Sequence, residues 1–166
     1  INPNNHALDG GRESSIMEKE VICKIAGMFG WPVSLGHLTS GGTFANLEAL
    51  WVAGKVNPNQ KIVASQLAHY THQRISSVLG LPFEQVECDQ SGKIDLLRLE
   101  KMLAKRDVGT VVVTFGTTGI GSIDPLCEIL ELQKKYFFRI HIDAAYGGYY
   151  ILADNLSSNT IKHYNS

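Results

Sequence analysis

Hydrophobic positions along this chain switch between two periods, and the switching predicts the order of its elements. Ile16, Met17, Val21, Ile22, Ile25, Ala26 and Phe29 recur at helical spacing. Ser15 stands where a helix cap would, with Glu18 at the capping-box position, and Gly30-Trp31-Pro32 closes the helix. A second helix is predicted over 43–55, with Phe44, Leu47, Leu50, Trp51 and Ala53 as its apolar residues, and Asn57-Pro58-Asn59-Gln60 breaks it. A strand over 61–65 follows, then a helix over 70–79 stopped by Gly80-Leu81-Pro82, then a strand over 83–88 and a turn at Asp89-Gln90-Ser91-Gly92. A helix opening at Ile94-Asp95 places Leu96, Leu99, Met102 and Leu103 on one face. Residues 108–115 form a β-branched run with no charge after Asp107, as in a strand covered on both faces. A loop at 116–121, a helix over 125–136, a strand over 138–142 and a glycine turn complete the pattern.

Helices and strands therefore alternate, which predicts an α/β fold with a mostly parallel sheet and helices on both faces. Open sheets of this kind bind ligands outside the carboxyl ends of their strands. Those ends are where the chemistry-bearing residues fall.

The most informative stretch is His141-Ile142-Asp143-Ala144-Ala145-Tyr146-Gly147-Gly148, at the end of the last strand. An Asp at the end of a buried strand is costly unless a cation meets it. A protonated pyridine nitrogen is such a partner, and a carboxylate beside it favours the protonated ring. A turn-capping Asp reads equally well from this fragment alone. Ser40-Gly41-Gly42-Thr43 precedes a helix, so its amides and the helix dipole suit a phosphate, although a plain tight turn also fits. It is neither a Walker loop nor a dinucleotide fingerprint. His69 follows the 61–65 strand, where an imidazole could lie flat on an aromatic cofactor and exchange protons. Thr117 and Thr118 end the 108–115 strand, where their hydroxyls suit a phosphate, a ring substituent, or the cap of their own turn. His72, His6, His37, His141 and His163 read as helix-cap or surface residues. The His69–His72 pair lacks a third ligand, so no metal is expected. Tyr146, Tyr149 and Tyr150 read as packed strand-end aromatics.

Composition narrows the function classes. Fifteen basic and sixteen acidic side chains leave a net charge of −1, with no basic patch for nucleic acid. No apolar run is long enough for a membrane span. Cys23, Cys88 and Cys127 are far apart and odd in number, as expected of reduced thiols in a cytoplasmic protein.

The order and spacing of TSGGTFAN, AHYT, FGTTGIGSIDP and HIDAAYGG resemble the pyridoxal-phosphate-dependent amino acid decarboxylases of the aromatic-amino-acid, tyrosine and glutamate decarboxylase group. The resemblance covers nearly the whole chain. It implies the large-domain core of the aspartate-aminotransferase-like fold, pyridoxal 5′-phosphate as cofactor, an amino acid substrate and a homodimer. Carried over by matching positions, Gly42 and Thr43 correspond to the phosphate cup, His69 to the histidine stacked on the ring and Asp143 to the partner of the ring nitrogen. Ala145 corresponds to the small residue packed against the ring, and Thr118, with Thr117 beside it, to a threonine close to the cofactor. On this basis His69 and Asp143 are the expected catalytic residues. The family's Schiff-base lysine sits in a Ser/Asp-x-His-Lys setting a few tens of residues beyond the Asp, whereas Lys162 stands in Ile161-Lys162-His163-Tyr164. Residues 1–166 are therefore expected to be part of a cofactor-binding large domain, cut before that lysine and the small domain. The resemblance implies decarboxylation of an L-amino acid to an amine by the parent protein. Other lyases of the fold, an aminotransferase, or a non-catalytic binding or structural piece are the alternatives.

Overall fold

The computed structural model describes residues 8–166. They fall into two compact units, one reaching Ser40 with Asn165, the other comprising 41–164 with Ser166. The first unit is built on α1 (Leu8–Met28), which bends at Gly11, where φ is −147° and ψ 28°. This helix begins well before the expected cap at Ser15 and runs through it. The Ser14 hydroxyl instead donates to the Gly11 carbonyl at 2.9 Å, within the bend. The Asn-Pro-Asn-Asn opening and His6 lie outside the described residues.

The second unit contains α2 (Gly42–Val56), β1 (Lys61–Ser65), α3 (Thr71–Leu79), β2 (Phe83–Val86), α4 (Leu96–Leu103), β3 (Val108–Thr114), α5 (Leu126–Lys135) and β4 (Arg139–Asp143). A 3₁₀ turn (Gly148–Leu152) and α6 (Ser158–Tyr164), neither of them predicted, follow. Helix α4 starts after Asp95, whose carboxylate accepts from the Arg98 N–H at 3.0 Å and so supplies the N-cap. Cys88 and Phe115, expected at strand ends, instead make single antiparallel bridges to Ile94 and Ile123.

All strand pairs are parallel, in the order β2-β1-β3-β4. From β1 the chain moves outward to β2 through α3, then returns past β1 to β3 through α4 and continues to β4 through α5. Right-handed crossovers running in opposite directions put their helices on opposite faces. On one face Ile62, Ala64 and Val112 pack with Leu50, Ala53 and Ile75 of α2 and α3. Val63, Val111 and Val113 point the other way and are also fully buried, and α4 and α5 bury Leu99, Leu103, Leu126 and Ile129. Each such aliphatic side chain contributes about 1.5–3 kcal/mol of transfer free energy. The direction of winding reverses between β1 and β3, so the crevice at their carboxyl ends is the topological switch point. No helix among the described residues is long and apolar enough to cross a membrane.

Candidate cofactor site

A cavity of about 410 Å³ opens at the carboxyl end of the sheet. Gly42, Thr43 and Asn46 come to it from the first turns of α2, and His69 and Thr71 from the segment joining β1 to α3. Thr114, Gly116 and Thr118 come from the end of β3, and Asp143, Ala145 and Tyr146 from the end of β4. Six of the seven residues singled out in the sequence thus line one cavity. The seventh, Thr117, does not: its buried hydroxyl accepts from the Ser122 N–H at 3.0 Å, as a turn-capping threonine does.

Asp143 is 8% exposed and its carboxylate is held on both oxygens. Oδ2 accepts from His72 Nε2 at 2.8 Å and from Asn46 Nδ2 at 3.1 Å, and Oδ1 accepts from the Ala145 N–H at 3.1 Å. Burial alone would push this carboxyl up. The His72 hydrogen bond, the Ala145 amide, the attraction of the His72 imidazole and the Asn46 amide overcome it and bring the pKa to about 2. Behind Asn46, His141 Nε2 donates to the amide oxygen at 2.6 Å, which sets the amide so that its nitrogen faces Asp143. Burial, then the neighbouring His72, lowers His141 to about 4, so at neutral pH its ring is uncharged.

His72 and His141 therefore correct the sequence reading, as does His163, which is buried in α6. His72 is fully buried against Asp143, not a surface or capping residue, and His141 anchors the amide beside it. Both fall on the faces that carry their partners. His72, Ile75 and Leu79 share one stripe of α3, Asn46, Leu50 and Ala53 one stripe of α2, and His141 and Asp143 one face of β4. Tyr146 and Tyr149 depart from the packed reading too, since both are exposed, with Tyr146 at the cavity.

His69 Nδ1 lies 2.8 Å from the Thr71 hydroxyl, which fixes the ring at the cavity wall. The amides of Gly42 and Thr43 belong to the first turn of α2, ahead of any intrahelical acceptor, and no side chain caps this end among the described residues. A Cβ on Gly42 would lie 3.0 Å from the Ala145 Cβ, so the two segments approach as closely as they do because residue 42 is glycine. Gly147 meets a harder limit, as its Cβ would lie 2.2 Å from the Phe115 carbonyl oxygen.

These residues fit a flat, phosphorylated, cationic-ring ligand. An ionised carboxylate waits at one wall, unpaired helix amides stand at another, and Thr114, whose buried hydroxyl has no partner, stands between. A different cluster, Cys127, Glu128 and His163, has its ligand atoms within 4.8 Å of one another. His163 Nδ1 and Glu128 Oε2 are 4.0 Å apart, wider than the roughly 3.4 Å edge of a tetrahedral zinc shell, and Glu128 already faces the Lys162 ammonium at 3.5 Å.

Comparison with known proteins agrees with this chemistry. The chain is 34% identical to a probable L-tyrosine/L-aspartate decarboxylase of Methanothermobacter thermautotrophicus, over 81% of this chain and 38% of that protein. It is 32% identical to an L-2,4-diaminobutyrate decarboxylase of Rhizobium meliloti, over 89% of this chain and 33% of that one. Among solved structures, the glutamate decarboxylase domain of a Vibrio parahaemolyticus diaminobutyrate-pyruvate transaminase and L-2,4-diaminobutyrate decarboxylase superposes with a TM-score of 0.84. That match is 26% identical and covers 99% of this chain and 41% of that one. The chain thus spans well under half the length of the relatives it matches. The family description of the pyridoxal-dependent decarboxylase conserved domain fits residues 45–162, and the chain belongs to that family.

Proposed function

We propose that the whole protein decarboxylates an L-amino acid to an amine and carbon dioxide, with pyridoxal 5′-phosphate held in the cavity at the carboxyl end of the sheet. The observation that carries this reading is Asp143, a buried carboxylate kept ionised at the wall of a ligand-sized cavity. When bound there, the cofactor supplies an electron-accepting ring that stabilises negative charge at the substrate's α-carbon. The residues present have distinct parts. The amides of Gly42 and Thr43 and the Thr43 hydroxyl would hold the phosphate, with the α2 dipole favouring its charge. Asp143 would keep the ring nitrogen protonated. His69, the imidazole lining the cavity, would lie against the ring and exchange a proton, while Ala145 leaves room for a flat group to approach the main chain. Thr118 would contact the cofactor from the end of β3.

Decarboxylases for aspartate, tyrosine and diaminobutyrate among the relatives support the reaction class. The protein is proposed to work as a homodimer, as the family resemblance implies, and in the cytoplasm, which its three free cysteines support. Incubating the intact protein and cofactor with a panel of L-amino acids tests the reading: amine and carbon dioxide are expected. Keto acid without carbon dioxide would make it an aminotransferase and sink the proposal. Light scattering of the intact protein should give twice the monomer mass, and a monomer would refute the dimer.

A further inference from the structure

Asp143 meets the cavity with only one oxygen still open. Oδ2 already accepts two hydrogen bonds, from His72 Nε2 and Asn46 Nδ2, which occupies both lone pairs of that atom. Oδ1 accepts one, from the Ala145 N–H. A donor arriving in the cavity is therefore met by Oδ1.

His72 is the more telling of the two residues on Oδ2. It is completely buried, and its Nδ1 has no partner. Burying an imidazole with one nitrogen unsatisfied costs more than burying an aliphatic side chain of similar size. What His72 provides in return is an Nε2–H aimed at Asp143, present in both the neutral Nε2–H tautomer and the imidazolium. Around it stand Asp143 and the His141 ring from β4, the latter edge-on at 6.0 Å between centroids, with Arg139 further along that strand. Asn46 reaches the same carboxylate from α2.

Resting on the function proposed above, we infer that His72 is a positioning residue for the cofactor ring: by holding Oδ2 it keeps Asp143 ionised and turns Oδ1 toward the ring nitrogen. The His141–Asn46 pair braces the same oxygen from the other side. Removing His72 should leave the cavity and its phosphate end in place and weaken only the recognition of the ring nitrogen.

Pyridoxine 5′-phosphate is the probe, because it lacks the aldehyde and its retention does not depend on covalent attachment. Its affinity for the intact apoprotein is compared with that of an analogue whose ring nitrogen is replaced by CH. The wild-type protein should prefer the nitrogen-containing ring by about tenfold or more, as expected of a charge-assisted hydrogen bond. His72→Leu should bring that preference close to one while affinity for the CH analogue stays the same. His72→Gln, whose amide can still donate to Oδ2, should keep most of it. If His72→Leu does not fold, His72→Met takes its place. A preference undiminished in the folded apolar variant overturns the role given to His72 and leaves the function standing. A preference undiminished in Asp143→Ala overturns the assignment of Asp143 itself.

Discussion

Two buried aspartates sit at the ends of adjacent parts of this sheet and behave in opposite ways. Asp124 is fully buried and accepts only main-chain donors, the Ile94 N–H on Oδ1 and the Thr114 N–H on Oδ2, each at 2.8 Å. It ties the end of β3 to the segment before α4, and burial pushes its pKa up to about 6 despite those bonds. Asp143 is nearly as buried, yet an imidazole, a side-chain amide and a main-chain N–H together hold it at about 2. Desolvation acts on both, and the donors decide which effect wins. Amide donors alone make a clamp whose charge is a liability. Adding His72 and Asn46 makes a carboxylate that stays charged at any physiological pH, as a site for a cationic ring requires.

Replacing the two residues should therefore damage different things. If the proposed function holds, Asp143→Ala in the intact protein should keep the fold and lower the decarboxylation rate about a thousandfold or more, because the charge proposed to act on the ring nitrogen is lost. Near-normal release of carbon dioxide at saturating cofactor would break the comparison at its functional end. Asp124→Asn should instead lower stability by about 1–3 kcal/mol, with one buried main-chain N–H left facing an amide NH₂, and leave turnover per folded molecule unchanged.

Acid should also distinguish the Asp124 clamp from the His141 brace behind Asp143, with opposite signs. Asp124 has a folded pKa above its unfolded value of 3.8, so the folded form takes up the proton first and stability rises as pH falls from about 6 toward 3.8. His141 has a folded pKa lowered from 6.5 to about 4, so its contribution is complete above 6.5 and is lost as pH falls through that window. The two largely cancel in the wild type. His141→Gln, which can still donate to Asn46, should leave the Asp124 effect unopposed and gain about 3 kcal/mol on the wild type between pH 7 and pH 4. Urea unfolding at the two pH values measures this, and parallel pH dependence in the two proteins would contradict it. The smallest effects concern the adjacent threonines. Thr117→Val should cost about 1 kcal/mol of stability and leave cofactor retention unchanged, whereas Thr118→Val should weaken retention with little effect on stability. Equal effects in a cofactor titration would mean that the cavity boundary between them is misplaced.

The sheet was readable because β1 and β3 are short, largely apolar runs set off by strong breakers, with no charge inside β3, and because β2 and β4 follow turn or helix-end signals in the same alternation. The motif residues were readable because they fall at strand ends and helix starts, where an α/β fold gathers ligand groups. His72, Asn46 and His141 were harder. His72 and Asn46 are polar residues on largely apolar stripes, and His141 shares its face of β4 with Arg139 and Asp143; each declares itself only when its partner, 71, 97 or 95 residues away in sequence, is brought beside it. The early start of α1 escaped because the apolar helical spacing begins only at Ile16, after Gly10 and Gly11, while the helix accommodates Gly11 by bending. Asp124, the aspartate of the SIDP segment, gave no sign of its clamp because both its donors are main-chain amides, which leave no mark on composition.

The central claim is that Asp143 is held ionised by its neighbours before any ligand arrives. Carbon-13 NMR of the aspartate carboxyls in the apoprotein tests it most directly, with Asp124 as the internal comparison. As pH falls, Asp124 should protonate near 6, while Asp143 remains ionised until about 2. An Asp143 carboxyl that titrates at or above the ordinary value of 3.8, or protonates before Asp124, would contradict the account.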